Sequence, residues 1–223
     1  MTVLVKNIGE ELMLFLRKYN KYIIGSFSIG ILVYFMMMSL NLVNDLDGIW
    51  HLSNFIAGDW EISLGRGLQR YADRARFGIV SDPFNTMLTL LLISAANAVI
   101  LMKFEFNSIV YKGLFLTISV ANPVICSALS YSYMSVNFGL AYFFSVLAFE
   151  RIKITTEIRK AELLRAFFGA FFLGISMAFY QAYICLMAVL AVMYLLKLLL
   201  EKKSTKNVLQ YMGLYMGEII LGG

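Results

Sequence analysis

Long apolar runs alternate with short charged links along this chain, and the alternation predicts its elements. Tyr22 to Val43 carries no charge and exceeds the roughly 20 apolar residues that a helix needs to cross a bilayer. Phe84 to Met102, about Ile109 to Ser130, and about Tyr133 to Phe149 repeat the pattern and predict spans two to four. Pro123 lies inside the third, where a lost backbone donor and a steric clash predict a bend. Ala166 to Leu196 is uncharged over about 46 Å as one helix, too long for one span and short for two. The Lys/Arg-rich links on either side belong in one compartment, which requires an even number of crossings. A break near Tyr180-Gln181 therefore divides the run into spans five and six. Asn207 to Gly223 predicts a seventh span that stops early.

Ahead of the first span, Thr2 to Lys21 mixes Leu12, Phe15 and Leu16 with Lys6, Arg17, Lys18 and Lys21, the pattern of an interfacial helix. The first apolar run starts late and ends at Asn44-Asp45 without a small-residue cleavage site, so it does not read as a cleavable signal. The fold class is all-α, a polytopic membrane helix bundle. Its predicted parts are a cytoplasmic interfacial helix (1–21), span one (22–43), an extracytoplasmic loop (44–83) and the remaining bundle (84–223). Composition agrees: 60% of residues are apolar and 15% charged, against about 45–50% and 25% in soluble domains.

The formal charge of +5 raises the question of nucleic acid, but its distribution answers it. Of the 19 Lys and Arg, all but Arg66, Arg70, Arg74 and Arg76 fall in links or flanks expected on the cytoplasmic side. No nucleic-acid partner is expected. Those four arginines share the loop after span one with Asp45, Asp47, Asp59, Glu61, Asp73 and Asp82, which makes it the acidic, outward-facing segment. Cys126 and Cys185 fall within spans and are expected as small apolar core residues. No zinc-ligand spacing occurs, and no metal or cofactor is expected.

A connection as long as Asn44 to Asp82 is either functional or disordered, and its patterning predicts order. Ile49, Leu52 and Ile56 fall on one helical face over Asp47 to Ala57, with Asp47, His51 and Asn54 opposite. From Arg66 to Phe77, Leu68, Tyr71, Ala72 and Ala75 share a face. Arg66, Arg70 and Arg74 share the other at spacings of four. Two amphipathic helices on the outer membrane surface follow. Asp45 and Asp47 at the outer end of span one suit a general base, ionised at neutral pH with a reference pKa near 3.9. Acidic residues also simply end apolar helices in water. The arginines suit a phosphate or pyrophosphate through paired hydrogen bonds, or equally a solvated face or lipid headgroups. Trp50, Trp60 and Tyr71 suit stacking on a sugar ring, or marking the membrane interface. His51 reads as structural; Asn97 and Gln181 read as interhelical hydrogen-bonding groups.

The run Asn44-Asp45-Leu46-Asp47, then Trp60 and Ser63-Leu64-Gly65-Arg66-Gly67, resembles the first outer loop of the bacterial glucosyltransferase II family. Those are membrane glucosyltransferases that modify O-antigen and other surface glycans. Asn122-Pro123 in span three and Phe179-Tyr180-Gln181-Ala182-Tyr183 between spans five and six are similar too. The resemblance covers nearly the whole chain. It implies a GT-C-like architecture that takes a sugar, here a hexose and most simply glucose, from a polyprenyl-phosphate carrier. On that resemblance, transfer to a glycan acceptor is expected on the outer face of the cell membrane, with the N-terminus cytoplasmic. It also implies Asp45 as the base, with Asp47 second, and Arg66 as the contact to the donor phosphate. Arg70 and Arg74 join it, and Trp50, Trp60, Tyr180 and Gln181 are the sugar- or acceptor-binding candidates. Family members often carry a doubled aspartate where this chain has Asn44-Asp45, so the base stays open between Asp45 and Asp47. Members are also usually longer, so a fragment, a truncated reading frame and half of a two-part enzyme are all expectations here.

Two other classes compete. A flippase for a lipid-linked sugar would carry ionisable groups near the middle of its spans, whereas the charges here cluster in one loop. A non-catalytic subunit of a glycan-assembly complex would bind the same lipid without chemistry.

Overall fold

The structure, a computed structural model, describes residues 2–40, 49–51, 53–152, 160–202 and 204–223, without the side chains of 2–16, 160–161 and 206–207. Helix α1 (Thr2–Leu40) is followed by two short helices in the loop, α2 (Asp59–Ser63) and α3 (Gln69–Ala75). The bundle continues with α4 (Asp82–Phe104), α5 (Ile109–Val120), α6 (Pro123–Ser130) and α7 (Ser135–Arg151). Then come α8 (Lys160–Phe179), a 3-10 turn (Gln181–Tyr183), α9 (Ile184–Leu200) and α10 (Thr205–Gly222). Among the described residues, five segments are long and apolar enough to cross a membrane: Arg17–Leu40, Asp82–Phe104, Ile109–Ser130, Glu162–Phe179 and Gln181–Leu200. The fold is an all-α polytopic membrane bundle.

At 17 residues α7 is short, about 25 Å, yet it is the central helix, packed between α4 and α8. Small and apolar side chains on every face allow it to be buried nearly all round from Ser135 to Tyr142. Gly139 brings α4 close: a Cβ there would sit 3.1 Å from the Thr89 Cα. Polar side chains inside the bundle pair across helices. The Tyr142 hydroxyl donates to Asn97 Oδ1 (2.9 Å), and Ser176 Oγ donates to the Ala141 carbonyl (2.7 Å). Asn97 thus makes the interhelical bond its position predicts.

Backbone groups freed inside a bilayer need internal partners, and the break in span three supplies them from one side chain. Asn122 Oδ1 accepts from the Val124 and Ile125 amides at 3.0 and 3.1 Å, capping α6 behind Pro123. Its Nδ2 donates to the Ile118 and Ser119 carbonyls at the end of α5, each at 3.1 Å. The Tyr34 hydroxyl of α1 adds a bond to the Val120 carbonyl at 2.9 Å. The bend predicted from Pro123 is therefore a complete helix break, fully capped. At the opposite end of the bundle, Lys103 donates to the Glu150 carbonyl and Lys197 to the Phe104 carbonyl, cations closing helix C-termini.

Helix α1 runs unbroken through Lys21-Tyr22, so the segment expected as an interfacial helix continues directly into span one. Two expectations are corrected. The amphipathic helix expected over Asp47 to Ala57 is absent from Ser53 onward. There the chain is extended, with Phe55 N–H donating to the Gly78 carbonyl (2.8 Å) and Val80 N–H to Ser53 (3.1 Å). A better-satisfied pairing between the two ends of the loop overrides the helical period. Cys126 and Cys185 are exposed rather than core. In a bilayer the outside of a bundle is as apolar as its inside, so apolar surroundings in sequence do not separate the two.

Candidate active site

The loop lies over one end of the bundle on a buried polar lock. The α3 helix presents Gln69, Asp73 and, just beyond its end, Arg76 inward, while Tyr71 is 66% exposed. That inverts the apolar face expected from Leu68, Tyr71, Ala72 and Ala75. The Asp73 carboxylate, fully buried, accepts from Arg76 (2.6 Å), from Asn137 Nδ2 of α7 (3.0 Å) and from the Ala57 amide (3.0 Å). Arg76 also donates to the Tyr133 carbonyl at 2.8 Å. Four separate segments are tied together by one ion pair, and Phe55, Ala57, Tyr133, Met134 and Phe138 pack a small apolar core beside it. His51 stacks edge-on against Phe55 and lies 4.9 Å from the Tyr133 ring, the structural role expected of it.

This platform sets Arg66. After α2 the chain turns back, with Gly65 N–H bonded to the Ile62 carbonyl (2.9 Å) and Arg66 N–H to Glu61 (3.0 Å). Gly65 takes φ +83°, the left-handed region open to glycine, and so directs Arg66 toward the bundle. The break between α8 and α9 raises the partners. Tyr180 is extended, and its ring lies 4.5 Å from the Arg66 guanidinium carbon, a cation–π contact. Arg66 Nε donates to Gln181 Oε1 at 3.3 Å, while Gln181 Nε2 donates to the Leu64 carbonyl. Leu68 N–H donates to the Ala178 carbonyl (3.1 Å), fixing the loop to the end of α8. Gln181 thus bonds the loop rather than another span.

Beneath this group lies a cavity of about 860 Å³. Arg66 and Tyr180 stand at its loop end, and Tyr131, Tyr133, Phe138, Tyr142 and Tyr183 give it an aromatic wall. The Tyr180 ring meets Phe138 edge-on at 4.7 Å. Among the described residues no carboxylate pairs with Arg66, so its two terminal nitrogens stay available to an anion. A fixed guanidinium beside an aromatic, otherwise apolar cavity suits an amphiphile with an anionic head.

Other candidates are placed apart. Arg70 is taken up by Asp59 (2.7 Å) and the Ala57 carbonyl (2.8 Å), and Arg74 is exposed. The expected stripe of three arginines does not form, because α3 begins only at Gln69 and Arg66 belongs to the preceding turn. Trp50 and Trp60 are 77% and 71% exposed and line no part of the cavity. Asp45 and Asp47 lie outside the described residues. Among the described residues no three His, Cys, Asp or Glu side chains gather as a metal site requires. The residues not anticipated are the Asp73–Arg76–Asn137 lock and the aromatic wall. An opposite-charge pair three apart in the loop and the Tyr131-Ser132-Tyr133 run were their only signals.

The cavity brings together Arg66, Pro123 and Tyr180, which are remote in sequence. The glucosyl transferase GtrII family profile matches residues 47–222, most of the chain. The chain belongs to that family. As a GtrII glucosyl transferase family member it has a glucosyl transfer role, and the matched segment contains Arg66, the span-three break and Tyr180-Gln181. The match begins at Asp47, two residues after Asp45. No curated protein and no solved structure matches this GtrII family chain.

Proposed function

We propose that the protein transfers glucose from a polyprenyl-phosphate carrier to a surface glycan at the outer face of the membrane. The observation that carries this reading is Arg66, oriented by Gln181 and Tyr180, at the loop end of an apolar cavity set among membrane helices. A polyprenyl-phosphate sugar has the matching shape: an apolar tail, a phosphate and a sugar beyond it. The carboxylate of Asp45, or of Asp47, takes the proton of an acceptor hydroxyl. The acceptor oxygen forms its bond to the anomeric carbon from the face opposite the phosphate, inverting that centre. The bond from that carbon to the phosphate oxygen breaks, and its electron pair leaves on the polyprenyl phosphate. The Arg66 guanidinium neutralises the charge gathering there, in surroundings poor in water where such compensation is strongest. Holding donor and acceptor together supplies much of the remaining acceleration.

The test uses the purified chain in nanodiscs with radiolabelled glucosyl polyprenyl phosphate and a surface-glycan acceptor. Label is expected in the glycan, and Asp45→Asn is expected to lower the rate by about 10²–10⁴, the range for loss of a general base. Full activity in both Asp45→Asn and Asp47→Asn would remove the loop carboxylates from the chemistry.

A further inference from the structure

Helix α10 turns a line of ionisable groups into the bundle. Tyr211, Tyr215 and Glu218, spaced by four and three, are each no more than 2% exposed. Glu218 lies against Gly169, halfway along α8, so closely that a Cβ there would overlap its carboxylate. Glycine at that position makes the room this side chain occupies. Neither carboxylate oxygen has a hydrogen-bond partner among the described residues, and the Tyr215 hydroxyl one turn earlier has none either. Lys103 of α4 and Arg151 of α7 are the cations whose fields reach Glu218, but both are engaged. Arg151 pairs with Glu150, and Lys103 donates to the Glu150 and Ile152 carbonyls. On α8 itself Arg165 pairs with Glu162, and on α9 Lys197 faces Glu105 and Glu201, with Tyr194 beside Tyr215. No residue of α10 lines the cavity at Arg66, so the reaction assigned above makes no use of Glu218.

We propose that Glu218 is a proton-binding site, holding a proton from water as the neutral acid and so allowing α10 to seat on α8. A carboxyl group at membrane depth is rare and ordinarily functional. Ionised, this one would have neither water nor a counter-ion; the neutral acid avoids that cost. The ligand is a proton rather than a metal ion. One carboxylate and one phenol supply too few oxygens, and among the described residues no three His, Cys, Asp or Glu side chains gather. Residues three apart on a helix are neighbours, so the acid and the Tyr215 phenol are the partners at hand for each other. Release of the proton leaves a bare carboxylate pressed on the α8 backbone, which favours parting of the two helices and entry of water. The sign follows from where the proton is kept. In the unfolded chain Glu218 gives it up above about pH 4.3, the ordinary value for glutamate, whereas the seated side chain keeps it. Folding is therefore weakened as pH rises, by up to about tenfold in the equilibrium constant per pH unit.

Infrared spectroscopy of the full chain in nanodiscs tests this. The carbonyl stretch of a protonated carboxyl group is expected at neutral pH, shifted when the chain is made with isotope-labelled glutamate and missing in Glu218→Gln. The labelled, unaltered chain keeps the test decisive should the variant misfold. Glu218→Gln has the shape of the neutral acid but no proton to lose. In detergent-unfolding titrations from about pH 5 to about pH 8 it should therefore gain on the unaltered chain, by up to about tenfold per pH unit in the ratio of their folding equilibria. Absence of a protonated glutamate band at neutral pH would overturn the proposal. So would the same dependence on pH in both chains.

Discussion

Replacing Asp73 with Asn removes one charge at the centre of the loop's attachment while keeping the side chain's shape. With the carboxamide oxygen kept on the Ala57 amide, its NH2 group takes the place of the oxygen that accepts from Arg76 (2.6 Å) and from Asn137 Nδ2 (3.0 Å), so both donors lose their acceptor. The Arg76 side chain is 5% exposed, and its other bond is to the neutral Tyr133 carbonyl. Removing one member of such a buried pair costs about 3–5 kcal/mol, chiefly because the remaining charge is left uncompensated. The loss falls on the local equilibrium in which the loop lifts from the bundle, so the open form rises on the order of a hundred- to several thousandfold. Trypsin reports it directly, since Arg66, Arg70, Arg74 and Arg76 all lie in the loop. When opening is fast relative to cleavage, the cleavage rate follows the open population. The double variant Asp73→Asn with Arg76→Met removes the stranded charge as well and should recover most of the protection. Equal protection of Asp73→Asn and the unaltered chain, or equal sensitivity of the single and double variants, would refute the view that this ion pair holds the loop.

Further outcomes concern the arginine and the helix break. Arg66→Lys keeps the charge but loses the planar stack on Tyr180 and the fixed fork of donors, so the donor KM should rise about tenfold, and more in Arg66→Ala, in steady-state transfer assays. Asn122→Ala strips the caps from α5 and α6 and should lower the stability of the bundle by about 1–2 kcal/mol in detergent-unfolding titrations. Asn122→Asp retains the acceptor and should lose less.

The helices were legible where a bilayer leaves the sequence little choice. Uncharged runs such as Tyr22 to Val43 have no other stable use, and charge on both sides of Ala166 to Leu196 marked the break that appears at Tyr180. Arg66 was singled out by the Gly65-Arg66 pair that the family resemblance rests on, a local feature. The Asp73–Arg76–Asn137 lock was not, because it joins the loop to α7 across a separation in sequence that no periodicity records. In α3 the usual rule misled for the same reason. With an ion pair and Asn137 waiting beneath it, the helix buries Gln69 and Asp73 and turns Tyr71 outward. The aromatic wall escaped notice since tyrosines in membrane chains ordinarily mark the interface. Only folding brings Tyr131, Tyr142 and Tyr183 around one cavity.

Glucose transfer to a surface glycan requires the loop to face the cell exterior, and membrane-impermeant thiol labelling measures that face. Trp60→Cys, at an exposed loop position in a chain whose Cys126 and Cys185 have been replaced by Ser, is the reporter. Labelling of intact cells to the same extent as lysed cells is the expected result. Labelling that appears only after lysis would place Arg66 and its cavity mouth on the cytoplasmic side and contradict the account.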